Sequence, residues 1–474
     1  MAPRNNKGKL PVISLFTGAM GLDLGMERAG FTIRVAVECD RFALQTIRRN
    51  RPELPLIDRP IEDVTTAEIL EAAGLAPGEP AVVLGGPSCQ VFSTAGQRNS
   101  LGDPRGTLFQ HFLRVVHEAA PRFFVMENVR GLISAAVRHR PLRERGPGYP
   151  PLEPDEELGS AFRRVVEEIK ALGYYTIFDV LNAADFGVPQ RRQRLLFVGT
   201  RDGENIAMPA RTHDERGGGA LLPWATVRQT IGKLKEKDPE YYDFSPGKEK
   251  YLRAVPEGGN WRDLPLAQRK TALGSAFISW GGRSGFFRRL AWDEPSPALT
   301  TRPDSKATTL CHPTALRPLT VGEYARIQQF PADWAFEGTV RRKYEQLGNA
   351  VPLGLGEAVG GALRKAMRSR KRVDRSGVVE CWNLDLLAKL TRRPRTIVNP
   401  PRMRDDTDDE TISDWYAEGP RMRTDSLRYV PGELYDELIR ITGGEKRWGR
   451  VRDDDAEQRA AQPSVPCGPR DKAA

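Results

Sequence analysis

Between residue 11 and about residue 200, short apolar runs alternate with stretches whose apolar residues recur at helical spacing. That alternation is the pattern of strands joined by crossover helices, and it narrows the fold more than any other feature of the chain. PVISLF, FTIRVAVE, AVVLGG, RFFVME and RLLFVGT read as strands, and Asp40 to Asn50, Leu108 to Ala120 and Ala161 to Leu172 read as helices. An α/β fold follows, with an open, mostly parallel sheet covered on both faces. Such sheets bind ligands beyond the carboxyl ends of their strands, so the residues that directly follow each apolar run are the ones to inspect.

The remainder is less regular. HRPLRERGPGYPPLEPDEE from His139 reads as an exposed insertion before the next helix. From about Arg201 the chain turns Gly-rich and charged, and residues 201–317 read as a second, smaller domain. Helical patterning returns in TVGEYARIQQF and in LGNAVPLGLGEAVGGALRKAM, whose Gly and Ala positions suit a helix packed closely on a sheet. Residues 369–474, with RSRKR, RRPR and DDTDDE, form a C-terminal extension, either a small appended domain or a disordered one. At 474 residues there is room for two or three cores. Lys and Arg exceed Asp and Glu by ten (72 against 62), a balance that suits a polyanionic partner. The five cysteines, at 39, 89, 311, 381 and 467, are odd in number and scattered, which argues against a disulfide framework or a metal site. No apolar run is long enough to span a membrane and no secretory leader is visible, so a soluble cytoplasmic protein is expected.

The first strand ends in LFTGAMGLDLG, where Gly18 and Gly21 occupy a strand-to-helix turn that is either a plain turn or one that a ligand approaches. The second ends at Glu38, where nucleotide-binding sheets place an acid against ribose hydroxyls. Asp63, in IEDV, is a helix cap or an acceptor for an amino group. The third strand leads through Gly-Gly-Pro into Cys89, which is a small buried hydrophobe or an activated thiolate. Glu127 leaves the fourth strand at the same edge, solvated or enclosed, and enclosure would raise its pKa. Gln190, Arg191, Arg192 and Arg194 precede the fifth apolar run. They make an exposed loop, or guanidinium groups that grip a carbonyl or phosphate.

In order and spacing, FTGAMG, VECD, GGPSCQVFS, DPRGTLF, ENV, QRRQR and GNAVP resemble the successive motifs of the cytosine carbon-5 DNA methyltransferases, over residues 11 to about 200 and 318 to about 366. The resemblance implies a Rossmann-like, S-adenosylmethionine-dependent methyltransferase fold in residues 1–200, completed by residues 318–368, with residues 201–317 as an irregular target-recognition domain. It implies that Cys89 adds to carbon 6 of cytosine, that Glu127 holds a proton at ring nitrogen 3 and the exocyclic amine, and that Arg194 binds the carbonyl oxygen with Arg192 assisting. Phe16, Gly18, Met20, Gly21, Glu38, Cys39, Asp63, Gly85 and Asn349 match the family's S-adenosylmethionine contacts. Double-stranded DNA would be the partner, with the target cytosine flipped out of the stack and Gln90, Ser93 and the loop through Arg98 closing over it. Within GGRSGFFRR, Arg283, Arg288 and Arg289 are candidate DNA contacts, against a solvated turn as the plainer reading.

The chain departs from the family at two places. Ser88 stands where proline usually precedes the nucleophile, and Met20 stands where glycine is common, which is tolerable if its backbone is not left-handed. A cognate restriction or anti-phage defence protein is a further expected partner, and DNA binding would associate the protein with the nucleoid. Two alternatives remain: a tRNA cytosine-5 methyltransferase, although no Cys-Phe-Thr tripeptide of that branch is present, and a DNA-binding relative that has lost activity.

Overall fold

The computed structural model describes residues 10–87, 108–140, 149–277 and 284–381. Its centre is an eight-stranded sheet. In chain order the strands are β1 (Leu10–Leu15), β2 (Phe31–Val37), β3 (Leu56–Ile57), β4 (Val82–Gly85), β5 (Phe123–Val129), β6 (Tyr175–Asn182), β7 (Gln190–Arg191), β8 (Gln193–Thr200), β9 (His213–Asp214), β10 (Leu222–Pro223), β11 (Ser296–Pro297) and β12 (Val379–Cys381). The sheet order is β12-β6-β8-β5-β4-β1-β2-β3. All neighbours are parallel except β8, which runs antiparallel to both β5 and β6. Two short pairs stand apart, β7 with β11 and β9 with β10.

Alternation along each strand sends side chains to opposite faces. Val12, Val82, Leu84, Phe123 and Val125 join one apolar cluster, while Ile13, Val83, Phe124 and Met126 join the other. Helices α1 (Gly21–Arg28), α2 (Arg41–Asn50), α3 (Thr66–Ala73), α4 (Leu108–Ala119) and α5 (Ser160–Ala171) cover these faces. Local chemistry fixes their starts. Asp40 caps α2 by accepting from the Phe42 and Ala43 amides at 3.0 and 2.9 Å, and Thr65 with Glu68 forms a capping box on α3. The insertion from His139 is tied down at its far end, because Glu156 is buried and paired with Arg138 at 3.0 Å and with Arg140.

Residues beyond 200 contribute α6 (Val227–Ile231), α7 (Pro246–Leu252), α8 (Leu266–Leu273), α9 (Val321–Ile327), α10 (Val340–Asn349) and α11 (Leu353–Arg368). Phe244, Leu252, Trp261, Phe277 and Phe287 build a separate apolar cluster. Yet Ile206, Val227, Ile231, Leu290 and Leu299 pack into the same cluster as the first sheet face, so the irregular segment shares a core with the sheet.

Gly356 of α11 serves a helix partner, α1, rather than the sheet expected from the sequence. A Cβ on Gly25 of α1 would lie 2.3 Å from the Leu353 carbonyl, and one on Gly356 would lie 2.6 Å from the Leu22 carbonyl. Gly25→Ala gains about 1 kcal/mol of helix propensity, but it must push backbone away from backbone, and such overpacking costs about 1–3 kcal/mol. We expect a net loss, read as a lower urea midpoint; an unchanged or higher midpoint would show that α11 can shift freely. The extension also begins inside the fold. β12 pairs with β6, and Arg375 binds Glu380 at 3.0 Å beside Tyr175.

Candidate active site at the carboxyl edge of the sheet

Register aligns the strand ends. Leu15 lies beside Val37 and Gly85, Gly85 beside Met126, and Val129 opposite Arg194. The antiparallel course of β8 is what returns Arg194 to the edge where the parallel strands finish, because its first residues face the last residues of β5.

The turn after β1 is shaped by left-handed backbone at Phe16 (φ 55°), Gly18 (φ 56°) and Met20 (φ 68°). The condition attached to Met20 therefore fails: its backbone is left-handed. The side chain is fully buried in the first apolar cluster, which holds the strained conformation in place. Glu38 closes the turn. One carboxylate oxygen accepts from the Gly18 amide at 2.7 Å and the other from the Cys39 and Asp40 amides at 2.8 Å each. A Cβ on Gly18 would meet nothing within 4 Å, so this stretch of backbone borders open space. Gly21 differs. Its missing side chain admits the Val351 carbonyl, 2.3 Å from where a Cβ would sit, so on that side the close approach is by the chain. The same contact brings the turn containing Asn349 beside the glycine loop. Gly85 is likewise hemmed in by the Leu15 carbonyl and the Phe112 ring. Phe16 is half-buried, Cys39 and Asp63 are exposed, and Asp63 ends a short 3-10 turn, Ile61–Asp63. Partial burial and the Glu38 charge push the Cys39 thiol up.

Asp23 was not anticipated. It lies in the first turn of α1, fully enclosed, and burial pushes its carboxyl up to about 7 despite a hydrogen bond from Ser14. A charged residue on the apolar side of a helix that follows a glycine turn was the available signal. Because the folded-state pKa is raised, the folded protein keeps a proton that the unfolded chain releases, so stability falls as pH rises from about 4 to about 7. Asp23→Asn cannot ionise. Its unfolding free energy should gain on wild type across that window, by on the order of 4 kcal/mol at most, and then stay level, as read from denaturant or thermal unfolding at each pH. A pH-independent difference would refute the assignment.

At the centre of the edge, Glu127 and Arg194 form a buried ion pair, Oε1 to Nε at 2.6 Å. The approach is close but poorly aligned, and Glu127 Oε1 lacks a well-directed hydrogen bond. Gly86 makes room for the carboxylate, since a Cβ there would lie 2.7 Å from Oε2. Burial raises the Glu127 pKa, opposed by the Arg194 and Arg192 charges. Burial lowers Arg194, opposed by Glu127. Arg192 is turned inward, donating to the carbonyls of Leu299 at 3.0 Å and Gly348 at 2.7 Å. Those contacts tie it to α10 and to the segment that follows β11, so it acts on the site through its charge near Glu127.

Other expected residues are placed differently. Arg289 is buried, and its guanidinium donates to the carbonyls of Leu252, Val255 and His312 at 2.7, 2.9 and 3.2 Å. It holds the third cluster together and is corrected as a DNA contact. Arg288 is half-buried, bonded to the Ser284 carbonyl at 2.9 Å, and pushed down to about 10 by burial with Arg191 nearby. Cys89, Ser88, Gln90, Ser93, Arg98 and Arg283 lie outside the described residues.

The family described as C-5 cytosine-specific DNA methylase matches residues 10–365, spanning both the glycine turn and the Glu127–Arg194 pair. The chain belongs to this family. Relatives of the methylase include Type II methyltransferase M.Eco47II of Escherichia coli, 37% identical over 363 residues that cover 74% of this chain and 77% of the relative. Type II methyltransferase M.Sau96I of Staphylococcus aureus is 35% identical over 360 residues, covering 74% and 75%. A solved structure of a prophage-encoded protein of E. coli, titled as a DNA modification methyltransferase, is 23% identical with a TM-score of 0.51. It covers 76% of the methylase and 100% of its own chain, and it supports the fold alone. The methylase is thus a DNA (cytosine-5) methyltransferase with a Rossmann-like α/β sheet. Among its described residues no helix is long and apolar enough to cross a membrane.

Proposed function

We propose that the methylase transfers a methyl group from S-adenosylmethionine to carbon 5 of a cytosine flipped out of a specific duplex sequence, through a covalent Cys89 adduct. The observation that carries this reading is the buried Glu127–Arg194 pair, set at the strand edge beyond which the chain continues to Cys89.

The residues present fit S-adenosylmethionine. Gly18 borders open space, and Glu38 Oε2, which accepts only from the Gly18 amide while Oε1 is taken by the Cys39 and Asp40 amides, has a lone pair left for a ribose hydroxyl. Phe16, Met20, Cys39, Asp63, Gly85 and Asn349 would complete the pocket. When bound, the cofactor supplies an electrophilic methyl group. The protein's own residues make the acceptor reactive. Carbon 5 of cytosine is a weak nucleophile until the Cys89 thiolate adds to carbon 6 and its electron pair is delivered into the ring. Glu127, kept protonatable by burial, shares its proton with ring nitrogen 3 as that charge develops, and the carboxyl group accepts from the exocyclic amine. Arg194 neutralises the carbonyl oxygen. After methylation, loss of the carbon 5 proton and release of the thiol restore the aromatic ring and the free enzyme.

Duplex DNA hides these atoms, so the base must leave the stack, at a cost of about a few kcal/mol. Gln90, Ser93 and the loop through Arg98 would hold it. Residues 201–317 would choose the sequence, with Arg283 and Arg288 on the DNA, and residues 318–368 would complete the catalytic domain. The relatives' names, Type II methyltransferases, support a restriction-modification role; a cognate restriction or anti-phage defence protein would be a further partner.

Trapping with duplex DNA containing 5-fluorocytosine tests the proposal. The fluorine cannot leave as a cation, so the adduct should persist through denaturing electrophoresis with wild type and be absent with Cys89→Ala. Tritium transferred to tRNA only, with no adduct on duplex DNA, would overturn it.

A further inference from the structure

The segment TVGEYARIQQF ends in adjacent glutamines, neither of which enters the chemistry above. Gln328 is fully buried. Its Oε1 accepts from Gln190 Nε2 at 3.0 Å, and its own Nε2 donates to the carbonyls of Leu347 at 2.5 Å and Ala350 at 3.1 Å. Gln190, equally buried, uses its remaining Oε1 to accept from the Leu299 amide at 3.0 Å. Gln329 has a left-handed backbone, φ 68°. Its side chain donates to the Gly187 carbonyl at 3.1 Å and accepts from the Gly354 amide at 2.9 Å, while its carbonyl accepts from Arg28 of α1 at 2.9 Å.

Two consecutive side chains therefore bond to both sides of the turn that carries Asn349 and to the strand that leads into Arg192 and Arg194. Through Gln190 the same chain of bonds reaches Leu299, where the irregular segment returns to the sheet. Each amide is bonded through both its oxygen and its nitrogen, to partners from different stretches of sequence. Such a network fixes relative placement more than it adds net stability, since a buried polar group gains little over water yet is costly to leave unpaired.

We propose that Gln328 and Gln329 are positioning residues that hold the Asn349 turn against the glycine loop in register with Arg192 and Arg194, and so set affinity for S-adenosylmethionine without touching it. This rests on reading the glycine loop and Asn349 as the cofactor pocket.

The test uses the full-length protein carrying Gln328→Met or Gln329→Gly. Methionine keeps the length of residue 328 and removes its polar contacts. Glycine removes the side-chain bonds of residue 329 while easing its left-handed backbone, so this variant stays folded even where the first is weakened. Calorimetric titration with S-adenosylmethionine should give a Kd raised about tenfold in each variant, with the thermal midpoint of Gln329→Gly close to wild type. Wild-type affinity in Gln329→Gly, or a lowered midpoint as the sole change in both variants, overturns the proposal. Asn349→Ala separates the two readings. Raised Kd there with wild-type values in the glutamine variants removes the hub alone. Wild-type Kd in Asn349→Ala with raised values in the glutamine variants withdraws the Asn349 contact and keeps the hub, acting through the glycine loop.

Discussion

Glu127→Gln is expected to slow methylation of duplex DNA by about a hundredfold to ten-thousandfold at neutral pH. The amide fills the same space and its oxygen can still face Arg194, but its N–H groups can only hydrogen-bond a cytosine ring nitrogen and cannot transfer a proton to it. Stability should move the other way with pH. Burial raises the wild-type carboxyl above its ordinary range, so the folded state keeps a proton that the unfolded chain has released. Wild type then loses stability as pH rises from the ordinary carboxylate range through the raised value. The thermal midpoint of Glu127→Gln should gain on wild type over that interval. A rate within about threefold of wild type would remove Glu127 from the chemistry, because general acid–base contributions are far larger.

Arg194→Ala is expected to be the more damaging change. It leaves the Glu127 carboxylate enclosed without its guanidinium partner, now 2.6 Å away. Breaking one side of a buried pair costs about 3–5 kcal/mol, and loss of a charge aimed at a developing oxyanion costs about a hundredfold to a thousandfold in rate. The stability loss should shrink in acid, where Glu127 takes up a proton. The double variant Glu127→Gln with Arg194→Ala separates the two effects: it should recover most of the lost stability and none of the activity. Full stability in the single Arg194→Ala variant would mean that water reaches the pair.

The sheet was legible in the sequence because buried parallel strands are nearly continuous apolar runs and the helices between them repeat at helical spacing. Helices predicted at Asp40–Asn50, Leu108–Ala120 and Ala161–Leu172 are observed at Arg41–Asn50, Leu108–Ala119 and Ser160–Ala171. The strands β3 and β12, of two and three residues, are too short to leave a period. Glu127 and Arg194 were legible as neighbours only through motif order, since the contact spans 67 residues and depends on the antiparallel entry of β8. Arg192 and Arg289 look like any surface arginine in sequence. Their inward orientation follows from backbone carbonyls supplied by distant segments, which no local pattern records. Met20 shows the same limit, because burial of its side chain decides whether a left-handed backbone is bearable.

The packing of α1 against α11 has a consequence for how the chain is made. Gly25 and Leu353 are more than three hundred residues apart, yet neither helix finishes its interface without the other. At an elongation rate of about 5–20 residues per second, the first strand and helix leave the ribosome roughly 15 to 65 seconds before their partner exists. Throughout that time the glycine-lined face of α1 is uncovered. The glycine turn proposed to hold the cofactor is therefore among the last parts of the enzyme to mature, and shortening the chain before α11 should yield a protein that seeks chaperones rather than a partly active methylase.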